Sequence, residues 1–405
     1  MPGPAAAAVH DAGDVRGFRR LCAAAVVAYC SYAICRTPLL PLYARELGAG
    51  PELVGAVVGA STLAGVVMKL PAGALSDVVG RRPMLLGGAL LFAALPFAYA
   101  AVSTLAGLIA LRYVHGHATA IFGPVASASV SDIAPPGRRG AWLSGYAAAQ
   151  GAGQAMGPLV AGALIAGGSF GPAFLVAGLV GLAAPVVVAT WTPPPREPVT
   201  GPRWPLFAAG IREVLTHRLL LVASVANAGQ FVVSGALNAF LPLYARDLVG
   251  LTTTEVGGLF AAQTVTTLAM RPLVGRLSDQ LGRRALVVAG LVACAVTVWV
   301  LPLAGDGASL AAFVVVYAAG VAATAMATTA FVTDVTSRAR YGAAHGVFGT
   351  IYDIGDALGP LAGGLVVAAA GYPAMFRAAA VLALVIAAVF AVASRNATVG
   401  AAAAT

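Results

Sequence analysis

Apolar stretches recur along nearly the whole chain, and short clusters of Gly, Pro and Arg separate them. Hydrophobic residues make up 60% of the 405 residues and charged residues only 10%, whereas a soluble domain carries roughly 25% charged residues. A helix of about 20 apolar residues crosses the hydrocarbon core of a bilayer. The sequence therefore predicts an all-α membrane protein that crosses the bilayer many times.

The two halves of the chain repeat one another. Residues 40–47, Leu-Pro-Leu-Tyr-Ala-Arg-Glu-Leu, recur as 241–248, Leu-Pro-Leu-Tyr-Ala-Arg-Asp-Leu. The decapeptide 73–82 recurs at 275–284, where the offset between the halves has settled at 202 residues. Such self-similarity predicts two homologous bundles. It also argues against a cleaved signal peptide at the start, because cleavage would remove one member of a matched pair of helices.

We predict twelve transmembrane helices in two homologous six-helix bundles. The predicted spans are 21–43, 52–75, 84–101, 105–131, 141–166, 171–191, 219–243, 254–276, 285–303, 308–333, 342–368 and 373–393. The predicted domains are a cytoplasmic N-terminal tail at 1–20, a bundle at 21–191, a cytoplasmic linker at 192–218, a second bundle at 219–393 and a cytoplasmic C-terminal tail at 394–405.

The distribution of positive charge predicts the orientation. Most Lys and Arg residues lie in the termini, in the linker and in or beside the loops that follow even-numbered spans. Positively charged loops stay in the cytoplasm, so both termini are predicted to lie on the cytoplasmic side of a bacterial inner membrane. The linker contains Pro193, Pro194 and Pro195 and then Ile211–Val214, which predicts a stiff connection followed by a short surface helix.

The repeated decapeptide resembles the signature loop of the major facilitator superfamily, between the second and third helices, and its second copy falls between the eighth and ninth. The resemblance implies that this loop holds the cytoplasmic side closed, with Asp77 and Arg81 as gating residues and Asp132 and Arg138 as their partners. Gly80 permits the tight turn. The alternative is that the arginines only fix the topology. The predicted gating residues are Gly73, Asp77, Gly80, Arg81, Arg82, Asp132, Arg138, Gly275, Asp279, Gly282 and Arg283.

A second motif, G-x-x-x-G-P, occurs in the fifth and eleventh predicted helices. Its small residues share one helical face, so another helix can approach closely. The fifth-helix copy resembles the antiporter motif of the superfamily, with Ala161 in place of one Gly, and this resemblance implies drug:proton antiport. Helix packing with no bearing on transport direction is the alternative. The motif residues are Gly153, Gly157, Pro158, Gly162, Gly355, Gly359 and Pro360.

Two residues of the fourth helix are candidates for proton coupling. Arg112 begins an R-x-x-x-G pattern whose Arg is associated with proton transfer in the superfamily, and Val314 stands at its repeat position. A charge in the membrane needs a polar interior and a partner. His115 lies one turn away and can share that polar face. Histidine suits proton transfer, but a buried neutral His bonded to a backbone carbonyl is the alternative.

Asp353 and Asp356 are the carboxylates that fall well inside an apolar span, and their spacing of three residues puts both on one helical face. Two neighbouring carboxylates in a low-dielectric environment do not both ionise easily, so we expect at least one to carry a proton. We favour Asp356, which lies deeper. For Asp353 a conformational lock or a helix cap is an equally weighted alternative.

Polar residues in several spans are candidates for lining a cavity between the bundles, where such transporters bind substrate. Arg36 has Leu237 at its repeat position, and we interpret it as binding an anionic group or neutralising a carboxylate, or else as snorkelling to the outer surface. Polar side chains also join helices together. The candidates are Tyr32, Arg36, Gln150, Gln154, Asn227, Gln230, Asn238 and Gln263.

The sequence as a whole predicts a secondary active transporter and not an enzyme, because no phosphate-binding loop, zinc helix or nucleophile elbow is present. We predict a proton-coupled antiporter that exports small lipophilic or weakly polar molecules, without a cofactor and driven by the proton gradient. Its expected partners are the substrate, protons and membrane lipid, without nucleic acid, and a monomer is expected. The alternatives are a proton-coupled symporter that imports a sugar or another nutrient, and a non-transporting receptor or scaffold.

Overall fold

The computed structural model describes residues 4–135, 137–194, 212, 216–336 and 341–395. Almost all of these residues are helical, which confirms the all-α prediction. The helices are α1 Pro4–Ile34, α2 Leu39–Glu46, α3 Pro51–Val78, α4 Arg81–Tyr99, α5 Leu105–Ile133, α6 Arg139–Leu164, α7 Gly171–Ala189, α8 Arg218–Asp247, α9 Thr253–Leu281, α10 Arg283–Val300, α11 Gly307–Val335 and α12 Tyr341–Ala393. Short 3-10 helices at Ile165–Gly167 and Leu301–Leu303 follow α6 and α10.

Parts of the predicted linker and tails lie outside the described residues. These parts are 1–3 and 396–405 in the tails and 195–211 and 213–215 in the linker. They include Pro195 and most of the predicted surface helix. The domain boundaries therefore stay predictions.

Within the described residues, eight helical segments are long and apolar enough to cross a membrane. They lie at Val15–Glu46, Pro51–Lys69, Arg81–Tyr99, Gly171–Ala189, Arg218–Asp247, Arg283–Leu303, Gly307–Val335 and Val347–Ala393. The long helices α5, α6 and α9 are not among them, and these helices carry several of the polar candidates. The chain is thus a multi-pass membrane protein, while the count of twelve spans is not confirmed.

The first predicted span is divided in two. The sequence predicts one helix over 21–43, but α1 ends at Ile34 and α2 begins at Leu39 after a turn. Pro38 has no backbone N–H and cannot donate to the carbonyl four residues earlier, so the helix is interrupted there. Ala239 stands at the repeat position, and α8 continues through it to Asp247. Arg36 consequently lies in a turn, where its side chain is not confined to one face of a helix.

The two last predicted spans meet at Gly371. Helix α12 extends over 53 residues, but it is interrupted at Gly371, whose φ of 79° and ψ of 175° are not helical. A side chain would strain a residue with this positive φ, whereas glycine adopts it readily. The chain therefore turns between two helical segments, as the predicted boundary between 368 and 373 requires.

The apolar core shows how the two halves meet. We call the end of the bundle at turns 79–80 and 282 the loop end, and the end at turns 47–50 and 248–252 the distal end. Towards the distal end one continuous core includes Val57 and Phe174 of the first half and Phe240 and Tyr317 of the second. Towards the loop end the halves have separate cores. The halves are therefore joined at the distal end and separate at the loop end.

Candidate functional site

Arg112 lies in the interior of the first bundle with no exposed surface. Its Nη2 atom donates a hydrogen bond of 3.0 Å to the hydroxyl of Tyr32 from α1, and the guanidinium carbon lies 4.8 Å from the centre of the Tyr32 ring. Its Nε and Nη1 atoms have no acceptor among the described residues. A cation in such a place is costly unless partners compensate it. The aromatic ring and hydroxyl of Tyr32 provide part of that compensation.

His115 shares the surroundings of Arg112, as the spacing of one turn predicts. Its ring packs edge-on against Tyr32, with 5.0 Å between ring centres. Its Nδ1 atom lies 3.2 Å from the hydroxyl of Tyr99, a tyrosine that the sequence did not single out. The alternative predicted from the sequence is a hydrogen bond from His115 to a backbone carbonyl. Among the described residues, the partner of His115 is the Tyr99 hydroxyl instead. The role of His115 in proton transfer stays a prediction.

Each of the two embedded carboxylates is paired with a cation from the other half. Arg36 Nη2 lies 3.1 Å from Asp356 Oδ2, and Lys69 Nζ lies 2.5 Å from Asp353 Oδ2. Thr62 Oγ1 also donates to Asp356, at 3.1 Å. The sequence predicts that these two carboxylates do not both ionise easily, but in the structure each has a positive charge beside it. Of the interpretations of Arg36, the structure shows the neutralised carboxylate.

A polar network connects these groups across the halves. The Tyr32 hydroxyl, which accepts from Arg112, itself donates to Ser61 Oγ at 3.2 Å. Ser61 precedes Thr62 on α3, and Thr62 bonds Asp356. The link from Arg112 in the first half to Asp356 in the second therefore runs through hydrogen bonds to Ser61 and Thr62 and through the backbone that joins these two residues. Lys69 could have been found in the sequence, because it interrupts the apolar run of α3, but Ser61 and Thr62 carry no such signal.

The second half holds an uncharged polar cluster instead. Tyr317 of α11 lies with its hydroxyl 2.8 Å from Ser234 Oγ and 3.4 Å from Gln230 Nε2. Asn227 Oδ1 accepts from Thr328 at 3.3 Å. Both amide residues are buried inside their own half in this conformation. The other amide candidates are half-buried, namely Gln150, Gln154, Asn238 and Gln263.

The loop residues pair within their own half. Arg81 is buried and bonds Asp77 Oδ1 at 2.9 Å and Asp132 Oδ2 at 3.2 Å. The second loop repeats this arrangement, because Arg283 bonds Asp279 at 2.5 Å and Asp334 at 3.1 Å.

Other loop residues fall around this cluster. Arg138, the further predicted partner, is exposed and makes no ion pair within the described part of the chain. Gly80 and Gly282 have φ of 101° and 85°, which is the tight turn that the sequence predicts. Arg82 donates to the carbonyl of Ala189 at the end of α7. A basic side chain at a helix C-terminus interacts favourably with the helix dipole.

The G-x-x-x-G-P segments sit where backbones touch. A Cβ on Gly157 would collide with Ala33 of α1, and one on Gly359 with the carbonyl of Val232 in α8. Between the halves, a Cβ on Gly162 would lie 2.6 Å from the carbonyl oxygen of Thr253 in α9. Lipid tails are as apolar as leucine, so helix association in a membrane depends on this kind of close packing.

Comparisons with known proteins give a consistent result. The family model described as Major Facilitator Superfamily matches residues 21–262 and 225–403. The chain is 24% identical over 355 residues to the uncharacterized MFS-type transporter MJ1560 of Methanocaldococcus jannaschii, covering 86% of this chain and 91% of that protein. It is 24% identical over 352 residues to the multi-drug resistance efflux pump PmrA of Streptococcus pneumoniae, covering 84% of this chain and 87% of the pump.

A solved structure has the same fold. It is the crystal structure of a bacterial homolog to the human lysosomal transporter Spinster in an inward-facing and unoccupied conformation. Its TM-score is 0.79 at 16% sequence identity, and the match covers 95% of this chain and 97% of that one. At this identity the likeness concerns the fold alone.

Proposed function

Because this chain belongs to the Major Facilitator Superfamily, we propose that it is a proton-coupled antiporter that exports small lipophilic or weakly polar molecules. It is a transporter and not an enzyme, because the members of its family are transporters. The proposal of export is supported by the antiporter-like motif at Gly153–Gly162 and by the description of PmrA as an efflux pump.

The proposed arrangement is two six-helix bundles with twelve spans in a bacterial inner membrane. Both termini and the loops with Arg81 and Arg283 lie on the cytoplasmic side, because positively charged loops are retained there. The loop end is then cytoplasmic, and the conformation described above is open to the cytoplasm. Alternating access follows when the two bundles rock about the site between them.

The observation that carries the proposal is the ion pair between Arg36 and Asp356 across the two halves. Asp356 attracts Arg36 only when its carboxylate is ionised. The protonation of Asp356 therefore controls this contact between the halves. The side chain of Asp356 is 13% exposed and that of Arg36 is 32% exposed, so water reaches the pair only in part. Removing one member of a buried pair leaves an uncompensated charge, which is strongly unfavourable. Protonation of Asp356 therefore weakens the cytoplasm-open state.

In the proposed cycle, Asp356 and Asp353 release protons to the cytoplasm and then pair with Arg36 and Lys69. The empty, deprotonated protein is held in this state, so it does not open to the outside without a bound substrate. Substrate binding must supply the free energy that separates the pairs, because a ligand shifts a conformational equilibrium only by its differential affinity for the two states. After release of substrate outside, the separated carboxylates take up protons, which neutralises charges that would otherwise be buried without a partner while the bundles rock back. The protons are then released to the cytoplasm, and the pairs form again.

Arg112 and His115 are proposed to sense this protonation through Tyr32. The hydroxyl of Tyr32 is bonded to both Arg112 and Ser61, next to the residue that holds Asp356. Movement of Asp356 away from Thr62 would break the hydrogen bond at the Asp356 end of this network. The fully buried Arg112 would then change its hydrogen bonding without leaving the bundle.

The test uses everted membrane vesicles with an acidic interior, a pH-sensitive dye and a panel of drugs, dyes and small metabolites. A transported compound should release protons from vesicles that contain the protein. Asp356→Asn and Asp353→Asn should abolish that release. The matched control is Asp306→Asn, because Asp306 caps α11 at the distal end and Asn caps a helix equally well.

Two outcomes would reject the proposal. Full proton release by both Asn variants would remove the carboxylates from the mechanism. Accumulation of a nutrient by intact cells, with no proton release by any compound in vesicles, would identify an importing symporter.

A further inference from the structure

The interior of the bundle contains more positive than negative charge. Leaving aside Arg377, six residues after the turn at Gly371, the described helices and the turn after α1 carry four cations and two carboxylates away from the two ends. The cations are Arg36, Lys69, Arg112 and Arg271, and the carboxylates are Asp353 and Asp356. The ion pairs Arg36–Asp356 and Lys69–Asp353 use both carboxylates. Arg112 is fully buried inside the first half, beside Tyr32, so Arg271 of α9 is the remaining cation of this set and its side chain is exposed.

The internal repeat shows what is missing opposite Arg271. With the offset of 202 residues, Arg271 is the counterpart of Lys69, and Gly151 is the counterpart of Asp353. The first interface between the halves therefore has a Lys–Asp pair where the second has an arginine and a glycine. Arg271 has no ion pair or hydrogen bond to any described residue.

Arg271 faces the other half of the protein. The side chain of Leu268, three residues earlier on α9, lies against Gly151 of α6. At 3.6 residues per turn, residues three apart lie on the same helical face. Gly257, further along that face, is also in contact with α6. Arg271 consequently lies at the interface, about 15 Å from the end of α9 at Leu281, by a rise of 1.5 Å per residue.

The space around Arg271 is accessible. Its side chain is exposed, and it lies on the loop-end side of the Leu268 contact, where the halves have separate cores. One and two turns before Gly151, α6 presents Ala147 and Ser144, which are small and uncharged. An unpaired guanidinium at this depth of a membrane is unfavourable next to lipid, so it requires water or an anion.

We propose that Arg271 binds the carboxylate of the transported molecule, and hence that the substrates are amphiphilic organic anions. The inference rests on the proposed function, because the solute must pass through the space that Arg271 faces. The guanidinium fork matches a carboxylate with two parallel hydrogen bonds. The substrate thus supplies the negative charge that Asp353 supplies at the other interface. A cationic solute would instead meet an excess of positive charge.

The binding test uses the full-length protein purified in dodecyl maltoside at fixed ionic strength. Three probes share one apolar body: 1-naphthaleneacetate, 1-naphthaleneacetamide and 2-(1-naphthyl)ethylammonium. A ligand that binds the native state raises the unfolding temperature in proportion to its affinity. We expect stabilisation by the carboxylate and not by the amide or the ammonium compound. Arg271→Gln should weaken carboxylate binding by about tenfold or more, and Arg271→Lys should retain part of it.

The control variant is Arg276→Gln, an exposed arginine on the same helix that points about 140° away from Arg271. It should bind the carboxylate as the wild type does. Absence of stabilisation by the carboxylate, equal stabilisation by the amide, or undiminished binding in Arg271→Gln would each overturn the inference. Stabilisation by phosphatidylglycerol alone, lost in Arg271→Gln, would also overturn it, because the site would then hold a lipid headgroup.

Transport separates this inference from the proposed function. The same probes are added to the everted vesicles, and proton release is measured. Binding of the carboxylate through Arg271 without proton release would keep the anion site and reject antiport. Proton release that is the same in Arg271→Gln and in the wild type would keep antiport and reject the anion site.

Discussion

The Nη2 atom of Arg36 lies 3.1 Å from Oδ2 of Asp356, although 320 residues separate them in the chain. Arg36 lies in the turn between α1 and α2, and Asp356 lies on α12, so this contact joins the two halves. Thr62 donates to the same carboxylate oxygen. The pair therefore connects three elements at the interface, and its energy should be measurable as a coupling between two substitutions.

The first prediction concerns this coupling. Asp356→Asn and Arg36→Gln should each lower the unfolding temperature, because each leaves one charge without its partner. The double variant should be less destabilised than the sum of the two. The expected coupling free energy is about 0.5–3 kcal/mol, as for residues in contact, measured by thermal unfolding in detergent. Strict additivity would show that the pair contributes nothing to stability.

The second prediction concerns the conformational equilibrium. Lys69→Gln removes the cation that pairs with Asp353 at 2.5 Å, so it should increase the population that is open at the distal end. Lys69→Arg keeps the charge and should leave the equilibrium nearer to that of the wild type. Spin labels at Ala49 and Leu248, in the two distal turns, report the distance in a variant without native cysteines. An unchanged distance distribution in Lys69→Gln would contradict the prediction.

The third prediction concerns the two loop clusters. Arg81 is 7% exposed and its partner Asp77 is 4% exposed, whereas Arg283 is 23% exposed and its partner Asp279 is 71% exposed. Arg81→Gln should therefore cost about 3–5 kcal/mol, as for a broken buried pair. Arg283→Gln should cost about 1 kcal/mol or less, as for an exposed pair. Thermal unfolding of both variants gives the comparison, and equal losses would refute it.

The fourth prediction concerns helix packing. A methyl group at Gly359 would collide with the carbonyl of Val232, which belongs to a helix backbone and cannot easily move. Gly359→Ala should destabilise the protein by about 1–3 kcal/mol, the usual cost of overpacking. Gly87→Ala is the matched control, because Gly87 has open space around it on α4. There the higher helix propensity of Ala should be neutral or stabilising, and the yield of folded protein distinguishes the two.

Most helix positions could be predicted from the sequence. The predicted spans lie within about five residues of helices α3 to α11, because local composition and turn residues mark most helix ends, although α5, α6 and α9 are less apolar than the other long helices. The break at Pro38 was missed, since a proline in a membrane helix can be accommodated without a break, as Pro242 is in α8. The turn glycines were predicted because the tight loop demands positive φ.

The candidate site could be predicted only in part. Arg112, His115, Asp353 and Asp356 stand out in the sequence as polar residues in apolar spans, where a charge is costly. Their partners do not stand out. Tyr99, Ser61 and Thr62 are residue types that membrane helices tolerate anywhere, so only their contacts distinguish them.

The sequence by itself determined that this chain spans the membrane repeatedly, consists of two related halves and carries charged residues inside them. Hydropathy, repetition and turn chemistry are local properties, which a linear pattern records. The tertiary structure alone decided that Arg36 meets Asp356, that Lys69 meets Asp353 and that the helix face with Arg271 packs against α6 at Gly151. These contacts depend on the rotation of each helix about its axis and on the approach of distant segments, and both are set by the packing of the whole bundle.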